Sequence, residues 1–142
     1  MRVSAKAEYA CLAVLELAAR FGSGEPVRIK TIADEHGIPA RFLVQILLQL
    51  KGAGLVASTR GAAGGYQLIK PPAKISLGEV MAVIEGQEGD LKTAVSDQSA
   101  TGKVLLDAWQ EIASKQQHML RSLTFDKLVE RVRQQQEMMY YI

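Results

Sequence analysis

Residues 29–54, IKTIADEHGIPARFLVQILLQLKGAG, decide how the rest of the chain is read. Ile29, Ile32 and Ala33 share one face of a short helix over 29–36, and Gly37 stops it. Proline suits a first helical position, where its missing N–H was unpaired in any case. Pro39 is therefore expected to open a second helix with Phe42, Leu43, Ile46, Leu47 and Leu50 on its apolar face, ending near Gly52 and Gly54. A short helix, a glycine turn and a second amphipathic helix make a helix-turn-helix, whose second helix lies in the DNA major groove.

Upstream, Tyr9, Leu12, Ala13, Leu15, Leu17 and Ala18 recur at helical spacing, which predicts a helix from Ser4 to Phe21 followed by the loop FGSGEPV. Downstream, Leu55–Ser58 and Tyr66–Ile69 read as two short strands around a glycine-rich connection holding Arg60, Gly61, Gly64 and Gly65, which is a hairpin or wing. Ser76 with Glu79 three residues on reads as a capping box for the helix LGEVMAVIEG. Residues 87–102 lack an apolar period and read as a loop. Val104, Leu105, Ala108, Trp109, Ile112, Met119, Leu120 and Leu123 then mark a helix longer than a small winged domain needs. Thr124 is expected to cap a last helix carrying Phe125, Leu128, Val129 and Val132. The expected fold is mainly α, a winged helix-turn-helix with a small β-hairpin plus a long C-terminal dimerisation helix. The expected division is 1–85 for DNA binding, 86–102 as a loop and effector region, and 103–142 as dimerisation helices.

Composition narrows the function classes. With 142 residues, 48% apolar, the chain can bury a core, and no apolar run approaches the roughly 20 residues that cross a bilayer. Its first residues lack the apolar core of a signal peptide, so a cytoplasmic protein without a membrane partner is expected. One cysteine, Cys11, with His36 and His118, leaves no internal disulfide, no single-chain thiolate cluster and no conventional zinc site. Residues 1–74 hold ten basic and five acidic side chains, net +5, against net −3 for residues 75–142, so the first half favours a polyanion. No Ser/His/Asp set or phosphate loop is present, since RGAAGGY does not match GxxxxGK[ST], and an enzyme is not expected.

In this order and spacing, SAKAEYACLAVLELA, IADEHGIPARFLVQILLQLKGAGLV, RGAAGGYQL and ISLGEVMAVIEG resemble the Rrf-two (Rrf2) family of winged-helix bacterial transcription regulators. LLDAW and SLTFDKLVERV look like that family's dimerisation region. The resemblance brings in members that hold an iron–sulfur cluster through three cysteines before the long helix. Here residues 85–108 contain neither Cys nor His, and Leu91, Asp97 and Lys103 fall near where those cysteines would lie. Glu8 is placed like the partner-chain carboxylate that serves some relatives as fourth ligand. One hard oxygen cannot replace three thiolates, so no iron–sulfur cluster and no other cofactor is expected.

The exposed N-terminal part of a recognition helix reaches base edges, which singles out Pro39, Ala40, Arg41, Val44 and Gln45. Arg41 suits guanine O6 and N7, and Gln45, one turn along, suits adenine N6 and N7. Val44 stands where the resemblance often places a base-reading glutamate, and Ala62 and Ala63 where the family's wing tip commonly has proline and glycine. Arg60 and Gly61 at the wing suit a narrow minor groove, and Arg28 and Lys30 suit phosphates at a helix N-terminus. Arg28 also takes the place of a capping Ser or Thr. Leu105, Trp109, Ile112, Met119 and Leu120 are the dimerisation candidates, and Cys11 reads as an inert, buried thiol. Together these suggest a homodimeric repressor on a near-palindromic stretch of double-stranded DNA, with recognition helices about 34–36 Å apart. A small molecule or a protein is the expected effector, and a winged-helix protein-interaction module without operator binding is the alternative.

Overall fold

In the computed structural model, which describes residues 1–86 and 93–140, Ser4 Oγ accepts the Ala7 N–H at 3.1 Å and so starts α1 (Ala5–Ala19). The buried side of α1 is Ala7, Ala10, Ala13, Val14, Leu17 and Ala18. With alanine at four of these six positions, three further helices pack against it. These are α3 (Ala40–Gly52), α4 (Leu77–Glu85) and α6 (Phe125–Tyr140).

The helix-turn-helix forms as its spacing predicts, with one shift. α2 (Ile29–His36) ends at Gly37, whose φ of 63° is the left-handed conformation glycine takes without a Cβ penalty. Pro39 stands one residue outside α3 instead of opening it: its ψ is 127°, and its carbonyl accepts the first bonds, from Phe42 and Leu43 at 3.0 and 3.3 Å. Leu43, Ile46, Leu47 and Leu50 of α3 are fully buried.

The wing pairs β1 (Val56–Thr59) antiparallel with β2 (Gly65–Leu68), Val56 opposite Leu68 and Thr59 opposite Gly65. Leu55 is not the first strand residue, because its N–H closes the exit of α3 on the Leu50 carbonyl at 3.0 Å. Val27 exchanges both backbone bonds with Tyr66, at 2.9 and 2.8 Å, so the segment entering α2 is stitched to β2. A 3-10 turn over Pro72–Lys74 leads to α4, which Ser76 caps by accepting the Glu79 N–H at 3.1 Å. The other half of the expected capping box is replaced: the Glu79 carboxylate takes Lys70 Nζ at 2.7 Å.

α5 (Ala100–Ser122) begins inside the stretch expected to be loop. Ser99 Oγ accepts the Gly102 N–H at 3.0 Å, and a Cβ on Gly102 would overlap the Ser96 carbonyl oxygen, so this glycine serves a first helical turn. The Thr124 hydroxyl, expected as a cap, donates to the Asp126 carboxylate. The chain around it is clamped to the start of α4, with Leu77 N–H on Leu123 at 2.9 Å and Phe125 N–H on Ile75 at 3.0 Å.

Phe125 is fully buried and Val129 nearly so, in the same core as α1, α3 and α4. These two residues seat α6 in the core of the winged domain, whereas α5 has no buried residue. Truncating a buried Phe to Ala costs about 3–5 kcal/mol, enough to threaten a domain of this size. No helix among the described residues is long and apolar enough to cross a membrane.

Candidate nucleic-acid interface

With Leu43, Ile46, Leu47 and Leu50 turned inward, the opposite side of α3 presents Ala40, Arg41, Val44, Gln45 and Leu48, all exposed, with exposed Pro39 just before it. The five recognition-helix candidates thus sit together on and beside one face. Phe42, expected in the core, is 37% exposed. Its ring lies 5.0 Å beneath the Arg41 guanidinium and 6.3 Å from the ring of Tyr9 on α1. An aromatic face attracts a cation through its quadrupole, so Phe42 holds the base-reading candidate while Tyr9 braces Phe42.

Arg28 occupies the cap position of α2 without a side-chain cap bond, as its substitution for Ser or Thr implies, and both Arg28 and Lys30 are exposed. The unpaired N–H groups at this helix start, with two cations beside them, favour an anion. Arg60 and Gly61 lie exposed at the tip of the wing. The Val27–Tyr66 bridge fixes the start of α2 relative to that wing, and Lys51 Nζ donates to Ser58 Oγ at 2.8 Å, tying the end of α3 to β1. Neither tie announces itself in sequence, because both join residues that no periodicity relates.

Behind this surface an ion cluster seats α2 on α1. The Arg20 guanidinium lies 2.9 Å from Glu16 and 3.3 Å from Glu35, and His36 Nε2 lies 3.2 Å from the other Glu16 oxygen. Burial acts to raise the Glu16 carboxyl, but its hydrogen bond with His36 and the charge of Arg20 outweigh that and lower it. Glu16, Glu35 and His36 each offer a ligand atom within 4.8 Å of the others, yet Arg20 already bridges both carboxylates as their cation. The Glu16–Arg20 half of this cluster is legible as an i, i+4 pair, whereas Glu35 and His36 become neighbours only through the fold.

Cys11 is half-buried on α1, not fully enclosed as expected, and burial pushes its thiol up to about 11, with Glu85 and Glu8 adding to the shift. A metal ligand or nucleophile must be the thiolate, which this site disfavours.

On α5, Leu105, Trp109, Ile112 and Met119 are 44%, 43%, 56% and 63% exposed and follow one another along one side, with Gln116 between the last two. Leu120 leaves that row: it is half-buried, with its Cβ where a Cβ on Gly78 of α4 would come within 3.4 Å. Between α4 and α5 runs an open cleft of about 810 Å³, lined among others by Met81, Val83, Gln117 and Arg121. The expected effector loop lies partly outside the described residues, and Leu91 with it; Asp97 is exposed and Lys103 lies within α5.

Residues 3–131 match the Rrf2 family, described as an iron-dependent transcriptional regulator. The chain is 32% identical over 143 residues to the HTH-type transcriptional regulator CymR of Bacillus subtilis, covering 100% of both. The solved structure of B. subtilis CymR, described as that organism's global cysteine regulator, superposes with a TM-score of 0.78 at 29% identity, over 92% of this chain and 98% of that one. The structure of T. potens IscR gives a TM-score of 0.75 at 34% identity, over 93% and 88%.

Proposed function

This chain belongs to the Rrf2 family of DNA-binding transcriptional regulators, which are not enzymes, and from that premise we propose that it is a cytoplasmic homodimeric repressor acting on a near-palindromic operator. The observation that carries this reading is the outward face of α3, where Arg41, braced on Phe42, stands one turn from Gln45. In this reading Arg41 and Gln45 read base edges from the major groove, Arg60 enters the adjacent minor groove, and Arg28 and Lys30 hold phosphates. The exposed row on α5 packs against the same row of a second copy. Leu105, Trp109, Ile112, Gln116 and Met119 alternate four- and three-residue steps, the spacing of a helix–helix seam.

The iron–sulfur group carried by some relatives does not suit this donor set. The chain has one thiol, that thiol is held protonated, and the carboxylates nearest a histidine are engaged by Arg20. The regulatory signal in this reading is a small molecule or a protein acting at the α4–α5 cleft.

The test is fluorescence anisotropy of the purified chain on DNA from upstream of its own gene and on a scrambled duplex, across several salt concentrations. A preference of about 10³ or more for the native duplex that survives added salt is expected of specific regulation. Equal, steeply salt-dependent affinity for both duplexes would leave only phosphate contacts and overturn the operator reading.

A further inference from the structure

α3 carries an apolar ridge that the core does not use. Ala40, Val44 and Leu48 follow one another at four-residue steps on its outward side, with Val44 41% and Leu48 57% exposed. The adjacent row is polar, Arg41 and Gln45, and exposed Lys51 lies at the far end. A major groove presents hydrogen-bonding edges almost throughout, and the apolar group on its floor is the thymine 5-methyl. A ridge flanked by a cation and an amide therefore complements a polyanion that contains such methyls.

We infer that Val44 reads a thymine through its 5-methyl group in each operator half-site, between the bases read by Arg41 and Gln45. Val44 is placed for this because it sits one turn into α3, within the N-terminal part that reaches base edges, and shares a row with Ala40, whose side chain is too short to hold the helix off the groove floor. Its two γ-methyls offer an apolar surface that forms no hydrogen bond with any base. At this position the groove thus distinguishes thymine from cytosine by the methyl and by the desolvation of the cytosine amino group against valine. The inference rests on the operator-binding reading above and adds to it a specificity that neither the charge nor the motif supplies.

The experiment begins with a duplex selected by the purified full-length chain from a randomised pool. Each thymine of that duplex is replaced in turn by deoxyuridine, which removes the methyl and nothing else. One symmetry-related thymine per half-site is expected to lose about fourfold in affinity on this replacement, the worth of one buried methyl. Val44→Ala should bind the unmodified duplex correspondingly less well and show no further loss with deoxyuridine at that position. Val44→Glu should prefer cytosine there, since a carboxylate accepts from its amino group. Selective binding with no thymine whose methyl matters, or a methyl effect unchanged in Val44→Ala, would overturn this inference and leave operator binding standing. Failure to enrich any sequence from the pool would overturn both.

Discussion

The Arg41 guanidinium lies 5.0 Å from the centre of the Phe42 ring, so the aromatic face supports the arginine proposed to read bases. Sequence periodicity assigns Phe42 to the core, and the structure gives it a different task. Phe42→Leu is expected to weaken binding to the native duplex about two- to fivefold, the worth of an exposed cation–π contact, with little change on scrambled DNA. Arg41→Ala should cost about 1–3 kcal/mol on the native duplex. Anisotropy titration measures both, and an equal loss on both duplexes would assign Arg41 to phosphate instead.

Arg28 and Lys30 are expected to act without regard to sequence. Replacing either by Ala should weaken native and scrambled duplexes alike and lower the slope of log affinity against log salt by about one. A slope identical to that of the parent protein would remove them from the interface.

For α5, Ile112→Asp puts a charge into the proposed seam, where it would be buried without a partner. Sedimentation should find a monomer of unchanged circular dichroism that binds a palindromic duplex far more weakly. Arg41→Ala and Arg60→Ala should instead lose DNA preference as dimers. A dimer that persists in Ile112→Asp places the contact elsewhere, and DNA preference that persists in the two arginine variants favours the interaction module.

Glu16 predicts a pH dependence. Its folded carboxyl titrates below the ordinary value of 4.5, so its stabilising contribution is complete above about that pH. The contribution is lost as pH falls through the lower folded value. Urea unfolding between pH 7 and pH 3 should show a shallower acid decline for Glu16→Gln than for the parent protein; equal declines would mean that the cluster with Arg20 and His36 contributes nothing.

With its thiol at about 11, raised by burial and then by Glu85 and Glu8, Cys11 is expected to react with iodoacetamide at pH 7.5 far more slowly than a free thiol. Cys11→Ser should retain DNA affinity, and anaerobic incubation with iron and sulfide should give no visible absorption band. A coloured product lost in Cys11→Ser would show a cluster shared between chains.

The helix-turn-helix, wing and long helix are legible because each depends on local rules: apolar period, glycine stops, and the serine cap at Ser76. The misplacements share a cause, which is that one residue can satisfy two rules. Gly102 reads as loop punctuation until the Ser96 carbonyl is seen beside it. Pro39 is acceptable both just inside and just outside a helix. Of the candidate site, the row on α3 follows from spacing alone. The Phe42 support, the Val27–Tyr66 bridge and the contacts of Glu35 and His36 with Glu16 and Arg20 depend on the tertiary arrangement and carry no sequence period.

Phe125 and Val129 complete a core otherwise drawn from residues 10–80 of the chain. During synthesis the DNA-reading half must therefore wait, incompletely packed, until α5 has been made and α6 can close over it. A product interrupted within α5 lacks both core residues of α6. The helix-turn-helix is thus fully packed only once nearly the whole chain has been made.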